Sequence, residues 1–513
     1  MSIKRGVIIV SAALLLAAAA GCGASATTHR AAASGPRHGG TLTVGIDSDL
    51  VTLNPAMSSA LIDRQAFINI FDPLLKLSRN MQIEPNLITK WKITHGGKTY
   101  TFTLRKGVKF QDGTPFNAQA IIYNWRWDMS PKNASPRATN LDLVTGLRAP
   151  NPYTLVVNLK APFSPFLSIL TGRTGMINSP AAIKKEGAHY SSRPVGTGPF
   201  EVVSWNPQGN LVLKRNPHYW QKGLPYLNKV IYTPIIDPQQ EYNSLITGQT
   251  QLVDSVAYQF VSTLSHNHAI NSASITGLGY SSMEINTKQG PLKNFHNREA
   301  IDYAINREAL IKLIYFGHTI PAYEEYPPSS WAYNKNLRVP FSDALAKKQL
   351  KLAGNPQGFN MTLQGNNDPV TEQEMQAIQS ELGKVGIKVT IQPVDFTTLL
   401  TNAIKGNFQT NLLGWSGRPD PDQNSFEFDT TGGSFNYTGW SNATENRLLR
   451  QAREFSNQKV RAELYNEAAQ VLLQQAPYIF LTYTPVIQAW AKNVMNYYAY
   501  PDDLMRLASV WLK

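Results

Sequence analysis

The chain has 513 residues, 42% apolar and 10% aromatic, with only 16% charged. At roughly 150 residues per domain that is about three domains or large lobes, and the aromatic content excludes a disordered, collagen-like or coiled-coil chain. The formal charge is +13 and there is one cysteine, which excludes a disulfide framework and any cysteine-based zinc site.

At the amino terminus Lys4 and Arg5 precede an apolar run from Val7 to Ala20, too short for a comfortable membrane span. Ala19-Ala20-Gly21-Cys22 follows and resembles a bacterial lipobox, with Ala19 where leucine is usual. Cys22 is therefore the expected first residue of the mature chain and the expected site of lipidation. The plainer alternative is an ordinary signal peptide with an incidental cysteine. Rich in Ala, Ser, Thr and Gly, residues 22–38 read as a flexible tether. No later stretch has the length and apolarity of a second membrane anchor.

A glycine pair at Gly39-Gly40 introduces alternating residues to Ile46, a first strand. Trp91 to Phe110 reads as a hairpin turning at His95-Gly96-Gly97, and Asn117 as the cap of a helix reaching Trp127. Strands follow at Thr154 to Leu159, near 201–205 and near 210–214. In the second half, Ser342 caps a helix ending at Gly354. Thr371 with Glu374 reads as a capping box for a helix bearing Met375, Ile378, Leu382 and Val385 on one face. Ile387, Val389 and Ile391 alternate as a strand, and a helix near 396–405 leads into the strand around Phe408 to Leu413. That order is an α/β unit, so the following loop lies at a strand's carboxyl end, where such sheets bind ligands. Helices near 443–456 and 458–475 and a strand Tyr478 to Tyr483 complete the series.

Catalytic motifs are not found: there is no HExxH, GxSxG or Walker loop. His266 and His268 lack a third ligand nearby. The run Asp420-Pro421-Asp422-Gln423-Asn424 begins like a calcium loop, but Ser425 stands where glycine is needed and Thr431 where the bidentate glutamate belongs. Neither metal nor cofactor is expected. The basic residues are scattered, with no helix-turn-helix, zinc-finger or RNP-like string, so nucleic acid is not an expected partner.

Several strings in order carry a resemblance. They are Ile70-Phe71-Asp72-Pro73-Leu74-Leu75, Glu84-Pro85-Asn86-Leu87, Tyr100 to Phe116, Gly196-Thr197-Gly198-Pro199-Phe200, Asn216-Pro217-His218-Tyr219-Trp220, and Asn297 to Arg307. Together they resemble the dipeptide- and oligopeptide-binding lipoproteins of ABC importers, solute-binding protein family 5. The resemblance implies an α/β, bilobal type II periplasmic-binding-protein-like fold with an additional inserted lobe and mixed sheets flanked by helices. It implies lobe I at 39–60, 192–272 and 483–513, lobe II at 61–191 and lobe III at 273–482. It also implies a monomer outside the cytoplasm that encloses its solute between lobes and passes it to ABC permease subunits without turnover.

Relatives that bind peptides place an Asp soon after the Gly-Trp matched here by Gly414-Trp415, to meet the peptide's ammonium group. In this chain Arg418 stands near that position, followed by Asp420 and Asp422. Dipeptide binders also use an Arg in the stretch that here reads Leu363 to Pro369, where Asn366 and Asn367 occur and no Arg does. The candidate ligand-binding residues are thus Trp415, Arg418, Asp420, Asp422, Asn366, Asn367, Tyr280 and Tyr437. Two roles are open for Arg418: clamping an acidic group of the ligand, or pairing with Asp420 or Asp422. The ligand class is a peptide or a related small polar solute. Alternatives are a glutathione-like acidic peptide, an opine, a glycan fragment or a metal chelate, or, in another class, the substrate of a secreted hydrolase.

Overall fold

A computed structural model describes residues 35–513; Cys22, the apolar run before it and most of the expected tether lie outside the described residues. Thr41–Ile46 forms the first strand, with Leu42, Val44 and Ile46 fully buried. It lies parallel to Lys229–Pro234 on one side and Leu252–Val253 on the other. These strands pack with Phe200, Leu213, Met505 and Val510 as a first core. Helix Leu61–Ile70, which the expected division puts in lobe II, buries Ile62, Ala66, Phe67 and Ile70 in this first core.

A second core lies on a four-stranded antiparallel sheet ordered Ile88–Thr94, Thr99–Leu104, Thr154–Leu159, Val144–Asn151. The expected hairpin turns at His95, Gly96 and Gly97, all at positive φ. Asn117 caps helix Ala118–Met129 through an N–H from Ala120 at 3.0 Å. Trp125, Phe102 and Phe166 fill the space between helix and sheet.

The third core holds Met283, Ile301, Leu363 and Ile479 together with Met375, Ile378, Leu382 and Val385, the expected helix face. That helix, Pro369–Gly383, begins earlier than the capping-box reading placed it. Asp368, not Thr371, is the cap: it accepts the N–H groups of Val370 and Thr371 and the Thr371 hydroxyl. Pro369 then occupies the first turn, where a missing N–H costs nothing.

Two long strands connect the first and third cores. Ile270–Ile285 and Tyr478–Ala491 pair antiparallel from Ile270 opposite Ala491 to Glu284 opposite Tyr478, with a register shift between Thr276 and Gly279. Through them the strands of both cores join one eleven-stranded sheet. Glycine is required where they pass the shift: a Cβ on Gly277 would lie 2.3 Å from the Thr484 carbonyl oxygen, and one on Gly279 2.6 Å from that of Trp415. Gly196 and Gly198 are similarly tight against the backbone of Ile70, so that string shapes a turn.

Candidate ligand-binding site

The strand Thr410–Trp415 pairs with Ile270–Ile285 and delivers Trp415 opposite Tyr280. Beyond it the chain turns at Gly417, whose φ is 66°; a Cβ there would sit 1.9 Å from the Leu278 carbonyl oxygen. The loop therefore seats directly on the register shift of the crossing strands. Buried Asn424 holds its shape: its Oδ1 accepts the Trp415 indole N–H at 3.0 Å and the Arg418 backbone N–H at 2.7 Å, and its Nδ2 donates to the Arg418 carbonyl at 2.9 Å. Nothing in the sequence marked Asn424 for this role, since it lay in the stretch read as a failed calcium loop.

Arg418 is half-buried, with its guanidinium carbon 4.4 Å from the Trp415 ring centroid, a cation–π contact. Its Nη1 donates to Ser416 Oγ at 3.0 Å and to the Gly417 carbonyl. Trp415 also packs against Phe428 and Phe435, at centroid distances of 4.9 and 5.9 Å. The pairing of Arg418 with Asp420 or Asp422, expected as one alternative, does not form. Asp420 receives a two-pronged contact from Arg461, at 2.6 and 3.0 Å, and Asp422 pairs with Arg453 at 3.1 Å. Both carboxylates point into the helical layer of 422–475, because two arginines on those helices reach them first. Burial pushes the Asp422 carboxyl up to about 7.

The remaining candidates scatter. Tyr280 is buried edge-on against Phe480 at 5.1 Å. Tyr437 meets Phe435 at 6.3 Å, and burial raises its pKa. Asn366 donates to Asp368 at 3.0 Å, and exposed Asn367 bonds through its backbone to Val394. Of the candidates, Tyr280 and Arg418 both adjoin Trp415, one across the paired strands and one over its ring.

Three further arginines lie near Arg418, and sequence reasoning missed them. Arg64 is on helix Leu61–Ile70, while Arg137 and Arg173 come from the segment carrying the second core; their exposures are 6, 8 and 6%. Arg137 donates to the Ser58 carbonyl at 3.3 Å and Arg173 to that of Ala60, so both grip the turn leading into the Arg64 helix. Nη1 of Arg64 and Nε of Arg137 and Arg173 are buried without a hydrogen-bond partner. Among the described residues none of the four arginines is within 4.0 Å of a carboxylate. Burial first, then the charges of Arg64, Arg173 and Arg137, holds the Arg418 pKa well below its ordinary value. Arg64 and Arg173 are likewise lowered mainly by burial, and Arg137 is pushed down to about 10.

The second and third cores touch beside this site. The Ser164 N–H donates to the Arg453 carbonyl at 2.8 Å, Ser168 Oγ to Gln423 Oε1 at 3.1 Å, and the Arg453 guanidinium lies 4.5 Å from the Phe163 ring centroid. Two surface hollows, of about 590 and 350 Å³, lie elsewhere and include none of the candidates. Among the described residues no cluster of His, Cys, Asp or Glu is arranged to hold a metal ion, and no helix is long and apolar enough to cross a membrane.

Three hydrophobic cores with a polar junction beside them, two joined by a pair of long strands, are the architecture of a solute-binding protein. The sequence model described as bacterial extracellular solute-binding proteins, family 5, matches residues 82–437, more than half the chain. The chain belongs to that family. The glutathione-binding protein GsiB of Escherichia coli K12 is 31% identical over 473 residues, 90% of this chain and 92% of GsiB. The periplasmic binding protein DppA of Helicobacter pylori, solved with the peptide STSA, superimposes with a TM-score of 0.86 at 27% identity, covering 93% of this chain and 98% of DppA. The oligopeptide-binding protein AppA of Bacillus subtilis, solved with a nonapeptide, gives 0.85 at 25% identity, covering 93% and 100%. Each of these relatives is a binding protein.

Proposed function

We propose that the chain is the receptor of an ABC importer, which captures a peptide or peptide-like small polar solute at the junction of its cores and delivers it to permease subunits. The observation that carries the reading is the junction itself: flat aromatic walls, fixed polar groups, and two bodies linked by continuous strands that can twist. Binding of glutathione by GsiB and of peptides by DppA and AppA supports the solute class. In this reading the three cores are lobes I, II and III: lobe I takes residues 39–70, because helix Leu61–Ile70 packs in the first core, with 192–272 and 483–513; lobe II takes 71–191 and lobe III 273–482. Closure follows the hinge mechanism of binding proteins, and the protein acts as a monomer. Lipid on Cys22 holds it at the outer face of the membrane, two or more acyl chains being enough for stable anchoring.

Small-angle scattering of the chain from Cys22 onward, with glutathione and with short peptides, tests closure; a saturating solute should reduce the radius of gyration and raise the melting temperature by linkage. Equal radii, or steady consumption of the solute, would refute the receptor reading. Cys22→Ser should move the protein from membrane to soluble fractions, and unchanged retention would remove the lipid anchor from it.

A further inference from the structure

Burying a cation without a partner is costly, and the cost rises when further cations share the same low-dielectric space. Arg64, Arg137, Arg173 and Arg418 nonetheless meet at one place, from four separate stretches of chain and all three cores. The acidic groups around them attract these cations only at longer range, and each is hydrogen-bonded to other groups. Asp63 accepts the N–H groups of Val51 and Thr52 and the Ser58 hydroxyl. Asp128 accepts from Ser135, and Asp502 is held by both terminal nitrogens of Arg506 at 2.7 and 2.9 Å. Glu427 takes the Ser434 hydroxyl, and Asp503 the Gln488 amide. Folding therefore leaves a cradle of guanidiniums with unused donors, and each guanidinium is a planar fork matched to carboxylate or phosphate oxygens.

We propose that the solute is multiply anionic, bearing at least two carboxylate or phosphate groups, and that Arg64, Arg137, Arg173 and Arg418 together form its recognition cradle. This rests on the receptor reading and narrows it. A zwitterionic peptide brings one carboxylate and one ammonium group; at this junction the ammonium would meet repulsion from four sides, while Asp420 and Asp422, the carboxylates able to receive it, face away. Two anionic groups would satisfy the unused donors and relieve the mutual repulsion. Arg418 follows strand Thr410–Trp415, whereas the other three belong to segments of the first and second cores, so the same ligand would bridge the lobes.

Calorimetric titration of the chain from Cys22 onward tests the proposal with three probes: glutarate, which has two carboxylates and no ammonium group; fructose 1,6-bisphosphate, which has two phosphates; and zwitterionic Ala-Ala. At least one doubly anionic probe should bind more tightly than Ala-Ala, with an affinity that falls as salt rises; which one binds separates carboxylate from phosphate. Arg173→Gln should weaken that binding by about thirtyfold or more, yet raise the melting temperature of the unliganded protein, because a like charge has been removed. A purely structural arginine would lower it instead. If Arg173→Gln does not fold, half-buried Arg418→Gln provides the same two readouts. Tight binding of Ala-Ala alone would overturn the cradle and leave the receptor reading standing. Binding of none of the probes would overturn both, and unchanged affinity in a folded arginine variant would overturn the cradle.

Discussion

Glu284 is nearly fully buried, on the sheet face opposite its third-core neighbours Met283 and Ile285, and its Oε2 has no hydrogen-bond partner. Burial alone pushes its carboxyl up to about 8, so the folded protein keeps a proton there that the unfolded chain, with an ordinary glutamate near 4.3, has lost. Between these values the native state binds more protons, and stability falls as pH rises. The stabilising contribution is fully present below about pH 4.3 and lost as the pH climbs through 8. Glu284→Gln keeps the shape without the charge. Relative to wild type, the variant should gain about 4 kcal/mol of stability between pH 5 and pH 8.5. Urea unfolding at the two pH values measures this, and an equal difference at both would contradict it. At this scale the sequence was partly legible. Arg418 stood out because it follows a glycine-tryptophan pair at a strand's carboxyl end. Arg64, Arg137 and Arg173 carried no local sign: they are isolated arginines, and the turn at 58–60 that Arg137 and Arg173 hold is remote from both in sequence. Asp420 and Asp422 misled for the converse reason. Arg461 and Arg453, which hold them, lie on helices some thirty to forty residues downstream, and proximity in sequence had favoured Arg418.

Elements were more legible than contacts, because periodicity and capping are local. The hairpin at 88–104, the caps at Asn117 and Ser342, and the strand–helix alternation of the second half all followed from such signals. The exception is the last long strand, which reads as ending at Tyr483 because Pro485 follows. It continues to Ala491 because Pro485 lies opposite Thr276, beside the register shift, where the ladder is already interrupted and a missing N–H does little harm. The loop seated on that shift offers a test. Gly417→Ala would strain a left-handed backbone and force a Cβ onto the Leu278 carbonyl, so it should cost about 1–3 kcal/mol or more and weaken ligand binding. Gly406 has nearly the same φ, 68°, but a Cβ there would meet nothing closer than 3.9 Å. Gly406→Ala should cost only about 1 kcal/mol and leave binding unchanged. Equal losses at the two sites would show that backbone strain, and not the seat on the crossing strands, governs the effect.

At the scale of the whole molecule, the described residues form six hydrophobic cores, of which the three described above are the largest. Their wiring was not readable, because pairing between Ile270–Ile285 and Tyr478–Ala491 joins residues some two hundred positions apart. That wiring has a thermal consequence. Strand Tyr478–Ala491 contributes to both the first and the third core, and Ile270–Ile285 pairs along it, so neither core can melt while the other keeps its sheet. The second core shares no strand with them and is attached by the chain near 71–74 and 177–196. Heating should therefore resolve two cooperative units. The smaller, about 100 residues, should absorb roughly 70 kcal/mol near 60 °C, and the larger should melt as a single block. A calorimetric scan with one peak, its van't Hoff enthalpy equal to the enthalpy of the whole chain, would contradict this. Two peaks would mean that the second core can loosen by itself and open one wall of the junction while the crossing strands stay intact, a route for solute exchange that requires no bending of the sheet.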